Sequence, residues 1–315
     1  FLTTVKSAQS NYRAGNIKSY DFKFLKKKKD QIFRISNDVI RINTKDNQIR
    51  MFPQTLGKAY SKLRMPHKVK RKLLANEKIC KKYATIYRDT AGRYFWLLPI
   101  EKETKFTQPE VGNVVSLDPG IRKFQTTYSP QEVGILGQQF TKDINRMIKK
   151  SDKFRKKYRQ YNGKIKQRYH RKYLKLRSKM TNITRDYHWK ISNKLVKDYG
   201  TIILPKFSGK ELAKRSNNHW LNKRIYAFSH FAFRQRLIHS CKMNGRNLIL
   251  CSEAYTSQTC GSCGTITDVK DSEVYQCRRC SLVIDRDINA ARNVMIKTFS
   301  DYLNGVIKQK TKSII

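Results

Sequence analysis

Acidic residues are the scarcest feature of this 315-residue chain relative to its other charges: 23 Asp and Glu stand against 68 Lys and Arg, a net charge of +45. Repulsion on that scale destabilises a compact fold unless counter-charge is supplied, which excludes an ordinary solvated surface and asks for a polyanionic partner. Nucleic acid supplies it. Seventeen Tyr and 15 Phe interleave with the basic residues, and although most belong to the core, some suit stacking on bases and sugars. Ribosomal and histone-like proteins share such charge, so it sets a partner class and no activity. No apolar run is long enough to span a bilayer. Cysteine is also sparse, seven in all, and Cys80, Cys241 and Cys251 sit in apolar surroundings at no framework spacing. That excludes a disulfide scaffold and predicts buried thiols in a reducing compartment. The chain begins at Phe1 without a methionine, so an N-terminal piece is expected to precede it. Its length leaves room for two or three small domains.

The other four cysteines are arranged. Cys260 and Cys263 form one C-x2-C knuckle, thirteen residues follow, and Cys277 and Cys280 form a second. Two knuckles around a hairpin match a structural tetrahedral zinc site, whereas a redox motif needs one pair only. Four sulfur ligands leave no open coordination position, so this zinc would hold structure and do no chemistry.

Elsewhere the pattern changes by stretch. From Ser19 to Ile100 it is strand-like: Tyr20, Phe22 and Phe24 alternate, as do Ile40 and Ile42, with Ile49 and Met51 after the turn-prone Lys45-Asp46-Asn47. Residues 82–87 and 93–100 flank a turn at Asp89-Thr90-Ala91-Gly92. A small β-barrel with a helical insertion around 54–77 is expected. The run Lys26 to Lys29 fits a nuclear signal or a phosphate-touching loop. Between Phe140 and Asp198 there are 21 Lys and Arg against four acids, with Leu176, Met180, Ile183, Tyr187, Ile191 and Leu195 at helical spacing. That predicts a basic helical hairpin broken near Asn162-Gly163. Three short apolar runs, at 114–117, 202–204 and 248–251, read as buried strands. Between the last two, Leu221, Ile225, Phe228, Phe231, Ile238 and Cys241 recur at helical intervals before Gly245, giving a crossover and a parallel strand pair. A final helix runs over 290–303.

Three carboxylates fall at the ends of these elements. Asp118 closes the first run in SLDPG, Glu253 follows the last in LILCSEAYTS, and Asp287 opens the final helix in DRDIN. Three acids gathered from separate elements are what two divalent metals need to activate water and stabilise a leaving oxygen in phosphodiester hydrolysis. Each also has a plain structural reading: Asp-Pro-Gly is a common turn, Glu253 a strand-end charge, and Asp285 or Asp287 a helix cap.

The order SLDPGIRKFQTTYS, RDYHWKISNKLV, IILPKF, EAYTSQTCGSCG, CRRC and DRDINAARN resembles the RuvC-like nucleases of the TnpB group, relatives of type V CRISPR effectors, and most of all their eukaryotic and viral branch, Fanzor. The resemblance runs from about Val114 to Asn293. It implies an α+β multidomain chain: a wedge-type β-barrel over 1–110, an RNase H-like (RuvC) core at 111–139, 199–256 and 284–315, the basic helical hairpin at 140–198 and the zinc ribbon at 257–283. It further implies an RNA-guided DNA endonuclease with Asp118, Glu253 and Asp287 on two Mg2+ ions, and Zn2+ on the four cysteines. The implied partners are a guide RNA of the omega type and a double-stranded DNA target with a short flanking motif, held by a monomer within the ribonucleoprotein. The implied location is the nucleus for a eukaryotic or viral member, the cytoplasm or nucleoid otherwise. An RNA-guided binder that does not cleave, or a transposon-associated nucleic-acid-binding accessory, is the alternative.

One position departs from the group. A glutamate usual at the end of the second apolar strand is replaced by Pro205, which binds no metal. Fanzor-like members carry the acid on the next strand, matching Glu253, and neighbouring strands lie about 4.8 Å apart, within reach of a glutamate side chain. Glu211, in the loop before the crossover helix, is the competitor, as Asp285 is for Asp287.

Overall fold

The structure is a computed structural model that describes residues 2–20, 31–43, 45–52, 54–55, 62–65, 67, 70–71, 78–79, 83–89, 92–101, 113–267 and 272–305. It separates into two compact units, Phe1–Lys102 and Glu103–Ile315. Cys80 and the Lys26 to Lys29 run lie outside the described residues.

In the first unit, helix α1 (Leu2–Arg13) precedes a series of short strands: β1 (Gln31–Ile35), β2 (Ile40–Asn43), β3 (Gln48–Met51), β4 (Lys62–Arg64), β5 (Lys78–Ile79), β6 (Ala84–Arg88), β7 (Tyr94–Leu97) and β8 (Ile100–Glu101). The expected hairpin forms, and the turn-prone 45–47 segment closes a second. Ile42 pairs with Ile49 across β2 and β3, with Asn47 in the left-handed region at φ 53 to close the turn. Tyr87 pairs with Phe95 across β6 and β7, and the Asp89 carboxylate accepts from the Arg93 amide (2.9 Å) and from Arg93 Nε (2.7 Å) to seal that turn. Ile35, Ile40, Ile49, Met65 and Ala84 make one core between β1-β6-β7 and β2-β3-β4. Among the described residues of this unit the strands form three separate ladders. One expectation is corrected in part here: within the expected helical insertion residues 54–55, 67 and 70–71 are helical, but Lys62–Arg64 are a strand that pairs with β3 and extends that hairpin into a meander.

The second unit is built on a five-stranded sheet. Strands β9 (Val114–Pro119), β10 (Gln125–Tyr128) and β11 (Val133–Leu136) form an antiparallel meander. Helices α2 (Gln138–Gln160) and α3 (Gly163–Asp198) then fold back, separated only by Tyr161 and Asn162, which places the break where the sequence expected it. Strand β12 (Thr201–Pro205) lies parallel to β9. Helices α4 (Gly209–Arg215), α5 (His219–Phe228) and α6 (His230–Met243) lead to β13 (Asn247–Cys251), parallel to β12 in the register Ile202 to Leu248 and Leu204 to Leu250. The expected crossover is thus present, but its apolar periodicity spans two helices, since Ser229 breaks the pattern in a left-handed conformation at φ 50. Hairpin β14 (Val274–Gln276) and β15 (Val283–Asp285) and helix α7 (Arg286–Leu303) complete the unit, with sheet order β11-β10-β9-β12-β13.

Period-two alternation distributes the sheet between two cores. Val115, Leu117, Ile202 and Leu204 face α2, α3, α5 and α6, joining Phe140, Ile144, Leu195, Phe228, Phe233 and Leu237. On the opposite face Ile203 and Cys251 meet Val294 and Met295 of α7. Phe124, in the β9–β10 turn, is fully buried and centres an aromatic cluster in which its ring stacks on His188 (5.3 Å) and His230 (5.0 Å). Truncating such a ring costs on the order of 3–5 kcal/mol. Gly137, which starts α2 at φ 83, is needed there because a Cβ would stand 3.0 Å from Phe124 Cβ.

Candidate active site and metal centre

The parallel strands β9, β12 and β13 share a carboxyl end, the edge where open α/β sheets hold their ligands. Asp118 is the penultimate residue of β9 and pairs with Thr126. It lies on the α7 face with Ser116, whose hydroxyl donates to the Ala291 carbonyl at 2.6 Å. Two residues along a strand advance about 6.6 Å and one helical turn about 5.4 Å, so that bond brings Asp118 level with Asp287, one turn before Ala291 in α7. Glu253 stands two residues past the end of β13, whose last residue, Cys251, pairs with Pro205. It therefore begins the loop rather than ending the strand, and a turn pins it: Thr256 Oγ1 donates to the Glu253 carbonyl at 2.9 Å.

Asp118 senses both other carboxylates. The Asp118 carboxyl is pushed up to about 7, by burial first, then by the negative charges of Asp287 and Glu253, with Arg286 and Lys123 opposing. Glu253 is also raised, by desolvation and by Glu211, so the competing glutamate lies near the cluster too. Glu211 occupies the first turn of α4 and is exposed. Pro205 is buried at the end of β12, where it contributes no ligand atom.

Lys123, a residue that sequence reasoning passed over, bridges the acids at the helix start: its Nζ lies 2.7 Å from Asp285 Oδ2 and 3.2 Å from Asp287 Oδ2. Burial disfavours its charge, but the two carboxylates outweigh that and raise its pKa. Asp285 is the N-cap of α7, its Oδ1 accepting from the amides of Asp287 (2.9 Å) and Ile288 (3.2 Å). Despite partial burial, Lys123 and these amides hold its carboxyl below the usual range. The capping reading therefore fits Asp285 and leaves Asp287 as the acid beside Asp118.

The Asp-Pro-Gly turn after β9 is itself held from the crossover. Nε2 of His230 donates to the Gly120 carbonyl at 3.0 Å, Gln125 Nε2 faces its Nδ1 at 3.4 Å, and Arg224 donates to the Ile121 carbonyl. Burial lowers His230 to about 4, so it stays neutral. A Cβ on Gly120 would come within 2.6 Å of the Lys123 carbonyl, which is why the turn that presents Asp118 and Lys123 together carries glycine.

The four arranged cysteines converge. One ligand atom from each of Cys260, Cys263, Cys277 and Cys280 lies within 4.8 Å of the others, with Sγ pairs at 3.6 Å (Cys260 to Cys280) and 3.5 Å (Cys263 to Cys277). All four are free thiols. The edge of a zinc–thiolate tetrahedron is about 3.8 Å, so the cluster fits a zinc ion. The Thr265 hydroxyl and amide lower Cys263 to about 6, which favours the thiolate a metal needs. Tyr275, fully buried, fills the ribbon's small core with Cys260 and Cys277.

Helix α7 ties the two centres. Asn289 Nδ2 donates to the Thr259 carbonyl at 2.8 Å while its Oδ1 accepts from the Gly261 amide at 3.0 Å, inside the first knuckle. Asn293 Nδ2 donates to the carbonyls of Thr256 (2.9 Å) and Thr259 (2.6 Å). Both asparagines are buried. Their signal was present in DRDINAARN as two polar residues four apart on an otherwise apolar helix face.

One face of α2 is basic. Along α2, Lys142, Arg146, Lys149, Lys153 and Lys157 line a shallow hollow opposite the buried Phe140, Ile144 and Ile148. No helix among the described residues is long and apolar enough to cross a membrane.

Residues 97–215 match the family model OrfB_IS605, described as "Probable transposase", and residues 230–294 match the Cas12f1-like TNB domain. TnpB-like protein L79 of Acanthamoeba polyphaga mimivirus is 29% identical over 222 residues, covering 68% of this chain and 43% of that protein. The chain is similar to the TnpB-like proteins. A relative in Streptomyces pristinaespiralis, named "Putative RNA-guided DNA endonuclease", is 28% identical over 214 residues, 67% of this chain and 51% of that protein. Among solved structures, the Cas12f1–sgRNA–target DNA complex superposes with a TM-score of 0.53 at 14% identity, over 72% of this chain and 47% of that one, which shows a shared mixed α/β fold. The chain spans about half the length of the curated relatives it matches. The two matched segments of this TnpB-like chain contain Asp118, Glu253 and Asp287 along with all four knuckle cysteines.

Proposed function

We propose that this TnpB-like chain is the catalytic half of an RNA-guided DNA endonuclease, with its second unit as a RuvC-like nuclease core and Asp118, Glu253 and Asp287 as the metal-binding carboxylates. The observation that carries the reading is the crowding of negative charge around Asp118 at the end of β9, where its carboxyl is raised to about 7 by burial and by Asp287 and Glu253. A site that crowds carboxylates beyond what its own Lys123 and Arg286 neutralise is a donor set for divalent cations. Two such ions, when bound, activate water and stabilise the departing 3′ oxygen.

The chain's residues supply the rest. Asp118, on a rigid strand, and Asp287, in the first turn of α7, fix two ligand positions through the Ser116–Ala291 bond, and Glu253 supplies the third from beyond β13, on a turn held by Thr256 and, through it, Asn293. Placing the acid beyond β13 offsets Pro205 and agrees with a Fanzor-like site. Lys123, ion-paired with Asp285 and Asp287, would offer its ammonium to a scissile phosphate. The four-cysteine ribbon holds Zn2+ as structure. The basic faces of α2 and α3 take the phosphates of a guide RNA and its DNA partner, and the first unit serves as the wedge-type barrel, while a short DNA motif beside the target is read by protein.

The test is cleavage of a target plasmid by the protein loaded with its guide RNA, with Mg2+ against EDTA. Mg2+-dependent cutting that Asp118→Ala abolishes supports the reading. Guided binding with no cutting under either condition replaces it with a guided DNA-binding protein.

A further inference from the structure

Away from the acids, helices α2, α3, α5 and α6 enclose a cavity of about 350 Å3, within the range that holds compact ligands. Its floor is apolar, made by the buried Ile148 and Met180. Its walls are cationic. Arg155 of α2 and Arg177 and Arg185 of α3 line it, and neither Arg155 nor Arg177 has an acidic partner among the described residues. The one acid in the lining, Asp152, is already neutralised by Lys223 at 2.7 Å. Tyr226 stands at the wall 65% exposed, and Ser229, in its left-handed turn, caps its carbonyl through Oγ at 3.1 Å.

We propose that this cavity is a nucleotide-capture site, taking a single base and its phosphate extruded from a bound single strand. The inference rests on the nucleic-acid reading above and adds a discrete pocket to it. Unpaired guanidiniums bind phosphate in a bidentate fork, and an exposed tyrosine ring stacks on any base. Two unpaired arginines beside one self-neutralised acid leave an anion-shaped deficit in a recess with an apolar floor, so a charged group with a flat ring fits it and a neutral metabolite does not. Isolated lysines on an open helix face attract phosphate but enclose nothing. Here the ligand's base would be removed from water while its phosphate meets fixed charge, a combination that selects one nucleotide of a strand and sets its register along α3.

The experiment uses the full chain and two 12-nucleotide single strands of identical sequence, one RNA and one DNA, each carrying 5-iodopyrimidines for photocrosslinking. Linked peptides are mapped by mass spectrometry, and affinity is followed by fluorescence anisotropy. The expected result is a crosslink to Tyr226, with affinity falling about tenfold in Arg155→Ala/Arg177→Ala, the scale of lost charged hydrogen bonds. Lys164→Ala/Lys166→Ala, which removes equal charge from the exposed start of α3, should lose clearly less. Circular dichroism melting confirms that both variants fold, and the wild-type crosslink map stands independently of either. A crosslink with RNA only, or with DNA only, supports the pocket and names its source. If the wild type binds both strands but crosslinks elsewhere, and the two double variants lose equal affinity, the pocket is overturned while nucleic-acid binding stands. If the wild type binds neither strand, both readings fall.

Discussion

Ser116 donates its hydroxyl to the carbonyl of Ala291 at 2.6 Å inside a core where both residues are fully buried. One bond thereby joins the strand that carries Asp118 to the helix that carries Asp287. The spacing between these acids depends on this contact and on the packing of Ile203, Val294 and Met295 around it.

Replacing Ser116 with alanine should therefore cost on the order of 1 kcal/mol in stability, the usual net worth of a buried hydrogen bond. Its effect on cleavage should be larger than that figure converts to, because a displacement of about 1 Å between catalytic groups can cost on the order of a hundredfold in rate. Urea unfolding alongside single-turnover cleavage measures both, and a stability loss with an unchanged rate would show that α7 is positioned by its apolar contacts alone.

Asp118→Ala, Glu253→Ala and Asp287→Ala should each lose at least about a thousandfold in cleavage while guided target binding changes little, since metal-organising carboxylates act on the reaction and add nothing to duplex affinity. Glu211→Ala should still cut, because the glutamate that acts on Asp118 is Glu253. The comparison is a Mg2+ cleavage assay with binding measured separately by gel shift. A dead Glu211 variant beside an active Glu253 variant would move the third ligand to α4.

The Asp118 carboxyl, raised from 3.8 to about 7, sets a pH dependence. The folded state holds a proton that the unfolded state releases across that window, so the divalent-free protein loses stability as pH rises from about 4 to 7. Asp118→Asn should remove that loss and be more stable than the parent at pH 8 without divalent cations, by on the order of 2–4 kcal/mol. Adding Mg2+ should narrow the gap by favouring the ionised parent. Cleavage by the parent should climb through pH 7 and level above it. Thermal melts at pH 5 and 8, with and without Mg2+, give the sign.

On the acid side the histidines act in the opposite direction. Burial lowers His230 to about 4, and burial with Arg236 lowers His188 to about 3, so both contribute stability that is present above their ordinary value of 6.5 and lost as pH falls towards 4. His230→Gln, which keeps a donor for the Gly120 carbonyl, should weaken the acid-side loss measured by urea titration between pH 6.5 and 4. An unchanged acid limb would place that sensitivity elsewhere.

One zinc per chain is expected by metal analysis, and Cys277→Ser should release it and lower the melting temperature. Asn289→Ala should retain zinc yet weaken the ribbon's attachment by on the order of 1–3 kcal/mol, because the Gly261 amide loses its partner and the Thr259 carbonyl keeps only its bond from Asn293. Hydrogen exchange at residues 259–263 should rise in this variant. A zinc-free parent, or a disulfide between the knuckles, would contradict the assignment.

The sequence alone determined what local pattern and composition can carry. The C-x2-C spacings marked a cluster of four cysteines, the apolar runs at 114–117, 202–204 and 248–251 marked three strands, and the expectation of a polyanionic partner followed from charge, because each is set by composition or by neighbours along the chain. Only the tertiary structure decided the relations between distant segments. It put Asp118 beside Asp287 through Ser116 and Ala291, assigned the cap to Asp285, set Lys123 between two acids, turned Asn289 and Asn293 inward to hold the first knuckle, and split the crossover at Ser229. A lysine in a turn or an asparagine on a helix has many low-energy surroundings when read locally. Contacts between segments far apart in the chain leave each of them one.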